Sequence, residues 1–199
     1  MRKTNAGLHA DRRARILAAA EQVFAAQGFH KASMQDIAAA AGMSPGNLYR
    51  YFPSKNAIIQ AFAEAEREES AASFADAAAA DTMVEGLLAA TRGFLVEQTR
   101  DSIAVGLEVV AEATRNPAIS AIVEAAESAV HEDFRRVLAG AQQLGRVRQD
   151  LDPDAAATLL LAVFDGLLAR RLLRPSMDLA SVIGELRELL GRYLERPPR

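Results

Sequence analysis

The sequence predicts an all-α chain of nine helices, divided into a three-helix N-terminal domain over residues 1–54 and a helical body over residues 55–199. Three observations point there. Apolar residues recur at helical spacing along nearly the whole chain, and alternating β-branched runs bounded by turns are missing. The prolines of Ser44-Pro45, Pro53-Ser54, Asn116-Pro117, Asp152-Pro153 and Pro175-Ser176 stand where helices can begin, and Pro197 and Pro198 lie in the tail. Proline is tolerated in a first helical turn and breaks a helix interior. Half of the 199 residues are apolar and a quarter are charged, the balance of a globular chain.

These signals place helices over 10–27, 34–41, 45–51, 55–79, 82–99, 102–115, 117–143, 154–173 and 177–195. The alanine-rich stretch 71–80 reads as the end of the long fourth helix, because alanine has the highest helix propensity. That helix spans the seam near residue 54, so no flexible linker is expected.

Cysteine is absent, which removes disulfides, thiol nucleophiles and thiolate metal sites and suits a reducing cytoplasm. The longest apolar run, Ala155 to Phe164, is far below the ~20 residues of a membrane helix, so no membrane partner is expected. His9, His30 and His131 are scattered without metal spacing, and nothing calls for a cofactor. Neither a phosphate-binding glycine loop nor a serine nucleophile elbow occurs, which argues against a helical enzyme.

Charge is uneven. Residues 1–55 carry eight Lys/Arg against three Asp/Glu, a net of +5 on a chain whose total is −3. The remainder is therefore −8, and it contains no lysine. A basic end on an acidic body suggests that one end meets a polyanion, although chance clustering on a solvated face gives the same count.

Helix one places Ile16, Ala20, Val23, Phe24 and Gln27 on one face. Gly28 follows as a left-handed stop, with Phe29 folding back on Phe24. Ser33 caps the next helix, with Asp36 in its first turn. Ile37 and Ala41 point inward, and Ala38 is small where a second helix would cross. Gly42 makes the turn, Met43 packs beneath it, Ser44 caps again with Pro45 at the first position, and Leu48 anchors the third helix. This is helix-turn-helix spacing, which an ordinary helical hairpin with a glycine turn can imitate. The second helix of such a motif presents its first residues to base edges. Those are Ser44, Pro45, Gly46 and Asn47. Asn47 can pair bidentately with adenine. Tyr49, Arg50, Tyr51 and Lys55 follow as phosphate donors, and Ser33 completes the expected DNA contacts.

The stretch from Ile16 to Ile58 resembles the DNA-binding domain of the TetR family of bacterial one-component regulators. The resemblance rests on Ile16, Ala19, Phe24, Gly28, Phe29, Ser33, Ile37, Ala38, Ala41, Gly42, Ser44, Gly46, Leu48, Tyr49, Tyr51, Phe52 and Lys55, and most specifically on the run Leu-Tyr-Arg-Tyr-Phe-Pro-Ser-Lys at 48–55. Many members carry His where this chain has Tyr51, and both can donate to phosphate. The resemblance implies a TetR-like fold, a homodimer on a double-stranded DNA operator, and a small-molecule effector bound in the body, most members being repressors released by that effector. The segments 111–117 and 145–167 are similar to the C-terminal domain of the subgroup named after the choline-responsive regulator BetI. An interaction module that has lost DNA binding is the alternative, and the basic and tyrosine residues around the third helix argue against it.

In the body, helix 154–173 is apolar nearly all round, so burial on both sides is expected. With helix 177–195 it could form a four-helix isologous interface through Leu160, Phe164, Leu167, Leu168, Val182, Leu186, Leu189 and Tyr193; a large monomeric core is the alternative. The expected effector pocket lies among helices 82–99, 102–115, 117–143 and 154–173. Its candidate residues are Phe94, Gln98, Leu107, Glu108, His131, Phe134 and Phe164, with Glu108 as the polar contact. A solvent-facing position or a pair with Arg is the other reading of each acid.

Overall fold

Among the described residues, nine helices and no strand are found. The computed structural model describes residues 5–195, with side chains from residue 7 onward; Arg2, Lys3, Pro197 and Pro198 lie outside them. The helices are α1 (Asn5–Gln27), α2 (Met34–Ala40), α3 (Pro45–Tyr49), α4 (Lys55–Ala79), α5 (Met83–Glu97), α6 (Arg100–Ala113), α7 (Pro117–Gln143), α8 (Pro153–Leu173) and α9 (Leu179–Leu194). The start of α1 differs most from the sequence reading, and the other ends agree within two residues. Helix α1 begins five residues early, since no proline stands before the first apolar-periodic position and Gly7 is carried within the helix. Helix α3 stops at Tyr49 rather than 51, because Phe52 precedes Pro53 and the residue before a proline is driven out of the helical region.

The chain packs as two compact units. The first comprises the residues up to Ala65 together with Arg100–Ala125. Its core holds Ile16, Ala20, Phe24, Ile37, Ala38, Leu48, Phe52 and Ile58, all at most 1% exposed. Val105 of α6 and Ile119 of α7 belong to the same cluster. Each such side chain contributes roughly 1.5–3 kcal/mol of burial. The three N-terminal helices therefore do not close their core alone; α6 and the start of α7 complete it.

The second unit comprises Glu66–Thr99 and the residues from Ala126 on. Phe74 and Phe134 stack at 4.6 Å in its core, surrounded by Met83, Leu87, Leu95, Leu138, Leu160, Leu186 and Leu190. Arginines close its helix ends, where carbonyls lack intrahelical partners. Arg146 donates to the carbonyls of Ala78 and Ala80 at the end of α4, and Arg171 donates to that of Gln98 at 2.7 Å.

Helix α8 departs from expectation. It buries only Ala156, Ala157 and Leu160, while Leu159 is 49% exposed and Phe164, Leu167 and Leu168 are half-buried. Burial on both sides does not occur within one copy of the chain.

Candidate nucleic-acid interface

The local chemistry of α2 and α3 is that of two capped helices joined by a tight turn. Ser33 Oγ accepts the Asp36 N–H at 3.1 Å, and the Asp36 carboxylate accepts the Ser33 N–H at 3.0 Å and its hydroxyl at 2.6 Å. This is a capping box, and those bonds hold the Asp36 carboxyl below its ordinary range. The Ser33 hydroxyl, expected among the DNA contacts, donates to Asp36 within the motif. Helix α2 ends where Arg15 donates to the Ala41 carbonyl at 3.2 Å, and Gly42 (φ 67°) makes the turn. Ser44 Oγ accepts the Asn47 N–H, Pro45 occupies the first turn, and Leu48 is fully buried beneath.

With Leu48 anchored, the other side of α3 faces outward. Ser44, Pro45 and Gly46 are exposed and Asn47 is half-buried. Tyr49 and Arg50 are exposed as well. A Cβ at Gly46 would meet nothing within 4 Å, so the space before it is open. Tyr51 is half-buried against His9, their rings 4.7 Å apart. Phe52 is buried under the Arg13 guanidinium, 4.5 Å from the ring centre.

Lys55 does not join this surface as a free phosphate donor. Its ammonium donates to the carbonyls of Phe29, of Ala32 at 2.8 Å and of His30 at 3.4 Å, and stands 4.4 Å over the Phe29 ring. Burial lowers its pKa, opposed by the attraction of Glu112. The expected phosphate contact is thus a clamp on the α1–α2 loop, whose carbonyls offer the acceptors.

The same loop is held from α6. Gly28 adopts φ 80°, and the Phe29 N–H donates to Glu108 Oε1 at 2.7 Å. A Cβ at Gly28 would come within 2.8 Å of that oxygen. Glu112, 2% exposed, accepts from Arg115 Nε and Asn116 Nδ2, each at 3.0 Å, and its carboxylate lies 2.7 Å from His30 Nε2. The Asn116 hydrogen bond does most to hold its carboxyl low; burial acts the other way, and Arg115 and His30 assist. Glu108, expected as the polar contact of an effector pocket, is therefore a cap on the backbone beyond α1. A backbone N–H in the loop past α1 needs some acceptor, as any backbone donor shielded from water does. Which acceptor arrives, 79 residues away, is a tertiary matter.

The doubly capped helix-turn-helix lies inside a segment that matches a known family. Residues 16–62 match the model described as bacterial regulatory proteins of the tetR family, and residues 84–196 match that of the BetI-type transcriptional repressor C-terminal domain. The chain belongs to the TetR family. It is 32% identical to the HTH-type transcriptional regulator UidR of Escherichia coli, over 92% of each chain. Identity to the HTH-type transcriptional repressor AcnR of Corynebacterium efficiens is 28%, over 93% of each chain. Among solved structures, Salmonella enterica GusR is 32% identical with a TM-score of 0.81, covering 92% of this chain and 95% of that one. A transcriptional regulator from Saccharomonospora viridis in complex with choline is 25% identical with a TM-score of 0.71, covering 94% of this chain and all of that one. TetR-family members are DNA-binding, ligand-binding transcriptional regulators rather than enzymes, and this chain is such a regulator.

The seven residues expected to line an effector pocket are divided between the two units. Leu107 is 42% exposed, and it and Glu108 belong to the first unit. In the second unit, Phe134 is sealed in the core between Phe74 and Phe164, the latter ring 6.5 Å away. A fully buried ring is no open wall. The His131 ring nitrogen lies 3.0 Å from Thr158 Oγ1. Gln98 ends α5, and Phe94 is half-buried.

Sequence reading missed an acidic group on three helices. Glu66 of α4 is raised in pKa by burial first, then by Glu127 of α7, Asp165 of α8 and Glu69. Asp165 is pushed up to about 6 by burial and by Glu127. Both residues are nonetheless solvent-exposed. Because the folded state holds the Asp165 proton more tightly than the unfolded chain does, this group favours folding on the acid side. That advantage is lost as pH rises through about 6. Asp165→Asn is expected to raise stability at pH 7.5 by no more than about 1 kcal/mol, and the melting temperature with it, given solvent screening. The gain should vanish below pH 4. Melting curves of both proteins across that range check this, and an Asn variant less stable at pH 7.5 contradicts it.

Proposed function

We propose that this regulator is a repressor that binds a roughly palindromic operator as a homodimer and leaves it when a small molecule enters the body. The observation that carries the reading is the outward face of α3, with Ser44, Pro45, Gly46 and Asn47 at the start of a capped helix whose opposite side is locked by Leu48. Such a helix offers its first residues to the major groove.

The apolar surface of α8 and α9 supports a second copy. Leu159 and Leu189 are exposed, and Phe164, Leu167, Leu168, Val182 and Tyr193 are half-buried. Leu160 and Leu186, expected in the interface, are instead buried in the core of their own chain. The neighbouring carboxylates of Glu66, Glu127 and Asp165 suit a cationic effector, and the choline bound by the Saccharomonospora viridis relative makes choline the first compound to try. Release requires the effector to bind two arrangements of the body unequally. A hundredfold loss of operator affinity corresponds to ~2.7 kcal/mol of coupling.

The test is to recover genomic DNA fragments retained by the purified protein and to measure binding to the recovered site. Asn47→Ala should lose ~1–3 kcal/mol of discrimination at particular bases, with affinity for random DNA unchanged. Sedimentation should give a dimer without DNA. Equal losses on operator and random duplex would remove Asn47 from base reading, and a monomer at micromolar concentration would remove the dimer.

A further inference from the structure

The recognition helix has a neighbour that the helix-turn-helix pattern does not assign. Two successive rings in the turn after α3 are each covered by a side chain from one face of α1. The His9 ring lies 4.7 Å from that of Tyr51, and the Arg13 guanidinium stands 4.5 Å over that of Phe52. Positions 9 and 13 are one helical turn apart and so share a face. This contact sets the early turns of α1 beside the chain that leaves the recognition helix. Arg12, three residues from His9 and one turn along the same side, is exposed, as His9 is.

We propose that these turns of α1 form a second DNA-contacting element, in which Arg12 and His9 donate to backbone phosphates flanking the bases that α3 reads. The inference rests on the DNA-binding role of α3 and extends its footprint. The chemistry recognised is the phosphodiester backbone. Guanidinium donors match phosphate oxygens in fork geometry, and a ring N–H supplies a single donor. Such contacts fix register and orientation without reading sequence. Tyr51 then has two tasks: its ring seats His9, and that seating fixes where α1 meets the duplex. Arg13 differs from its neighbours, because its charge is already engaged over Phe52.

Two variants separate contact from packing. Arg12→Gln removes one cation from an exposed position. His9→Phe keeps a ring against Tyr51 and removes the donor. Binding is measured by fluorescence anisotropy over a salt series, on an operator duplex recovered by selection and on a random-sequence duplex of equal length. Arg12→Gln should weaken both duplexes by the same factor and reduce the steepness of the log–log salt plot by about 1 per bound copy. Arg12→Lys should restore that slope. His9→Phe should weaken both duplexes equally with an unchanged melting temperature. Wild-type affinity and slope for both Arg12→Gln and His9→Phe overturn the proposal while leaving the role of α3 intact, since Asn47→Ala still loses operator discrimination. If the unmodified protein binds neither duplex, the proposal falls together with the reading it rests on.

Discussion

Lys55→Met is expected to lower the stability of the chain by roughly 1.5–3 kcal/mol, the loss that accompanies removal of a charged hydrogen-bonding partner. For a chain of this length that is a fall of about 3–12 °C in melting temperature. The ammonium is donor to the carbonyls of Phe29, His30 and Ala32. Met can keep the stem packed over the Phe29 ring but can donate to none of them. Affinity for operator and random duplex should fall together, because α2 and α3 follow directly from the loop that Lys55 holds. The slope of binding against salt should stay unchanged, since no phosphate contact is lost. A lysine on phosphate would behave oppositely, with a slope flattened by about 1 and a normal melting temperature. The two measurements on one variant therefore decide between a clamp and a contact. Lys55→Arg is not expected to restore stability fully, because a planar fork does not match three carbonyls converging on one nitrogen.

The same lysine shows where a sequence stops being legible. Its place at the start of α4, after Pro53 and Ser54, follows from local rules, and α4 begins there. Ser33 as cap, Gly28 and Gly42 as left-handed stops, Phe29 folded on Phe24 and Leu48 as anchor are likewise set by neighbours within a few residues. These emerge as read because short-range sterics and hydrogen bonding determine them. What a polar side chain touches across tens of residues is another matter. Glu108 sits amid Val105, Leu107, Val109 and Val110, a setting that reads as a pocket wall. Its partner is the Phe29 N–H, which only the crossing of α6 on α1 supplies. Glu66, Glu127 and Asp165 have no common sequence signal, since three separate helices bring them together. In α8, apolar residues on every side read as burial on both sides, whereas one copy of the chain leaves Leu159 uncovered.

Gly86→Ala should destabilise the protein by a net of about 2 kcal/mol, although alanine is the better helix former by about 1 kcal/mol. Gly86 lies in α5 where it crosses α4. A Cβ there would stand 2.6 Å from the Ala77 Cα and 2.9 Å from its carbonyl carbon, and nearer still to the carbonyl oxygen. Those are backbone atoms, which cannot swing aside as a long side chain can. Nor is α4 free to retreat. Its end is fastened by Arg146 on the carbonyls of Ala78 and Ala80, and Phe74, one turn before Ala77, is stacked on Phe134. Separating the helices to admit one methyl would loosen both contacts and open the core around Met83 and Leu87. Gly93, in the same helix, supplies the control. A Cβ there would meet nothing within 4 Å, so Gly93→Ala should gain up to about 1 kcal/mol from propensity alone. Urea denaturation of the two variants should thus move the midpoint in opposite directions from a shared starting value. If Gly86→Ala also proves more stable than the unmodified chain, then α4 and α5 do not approach as closely in solution as Ala77 and Gly86 require.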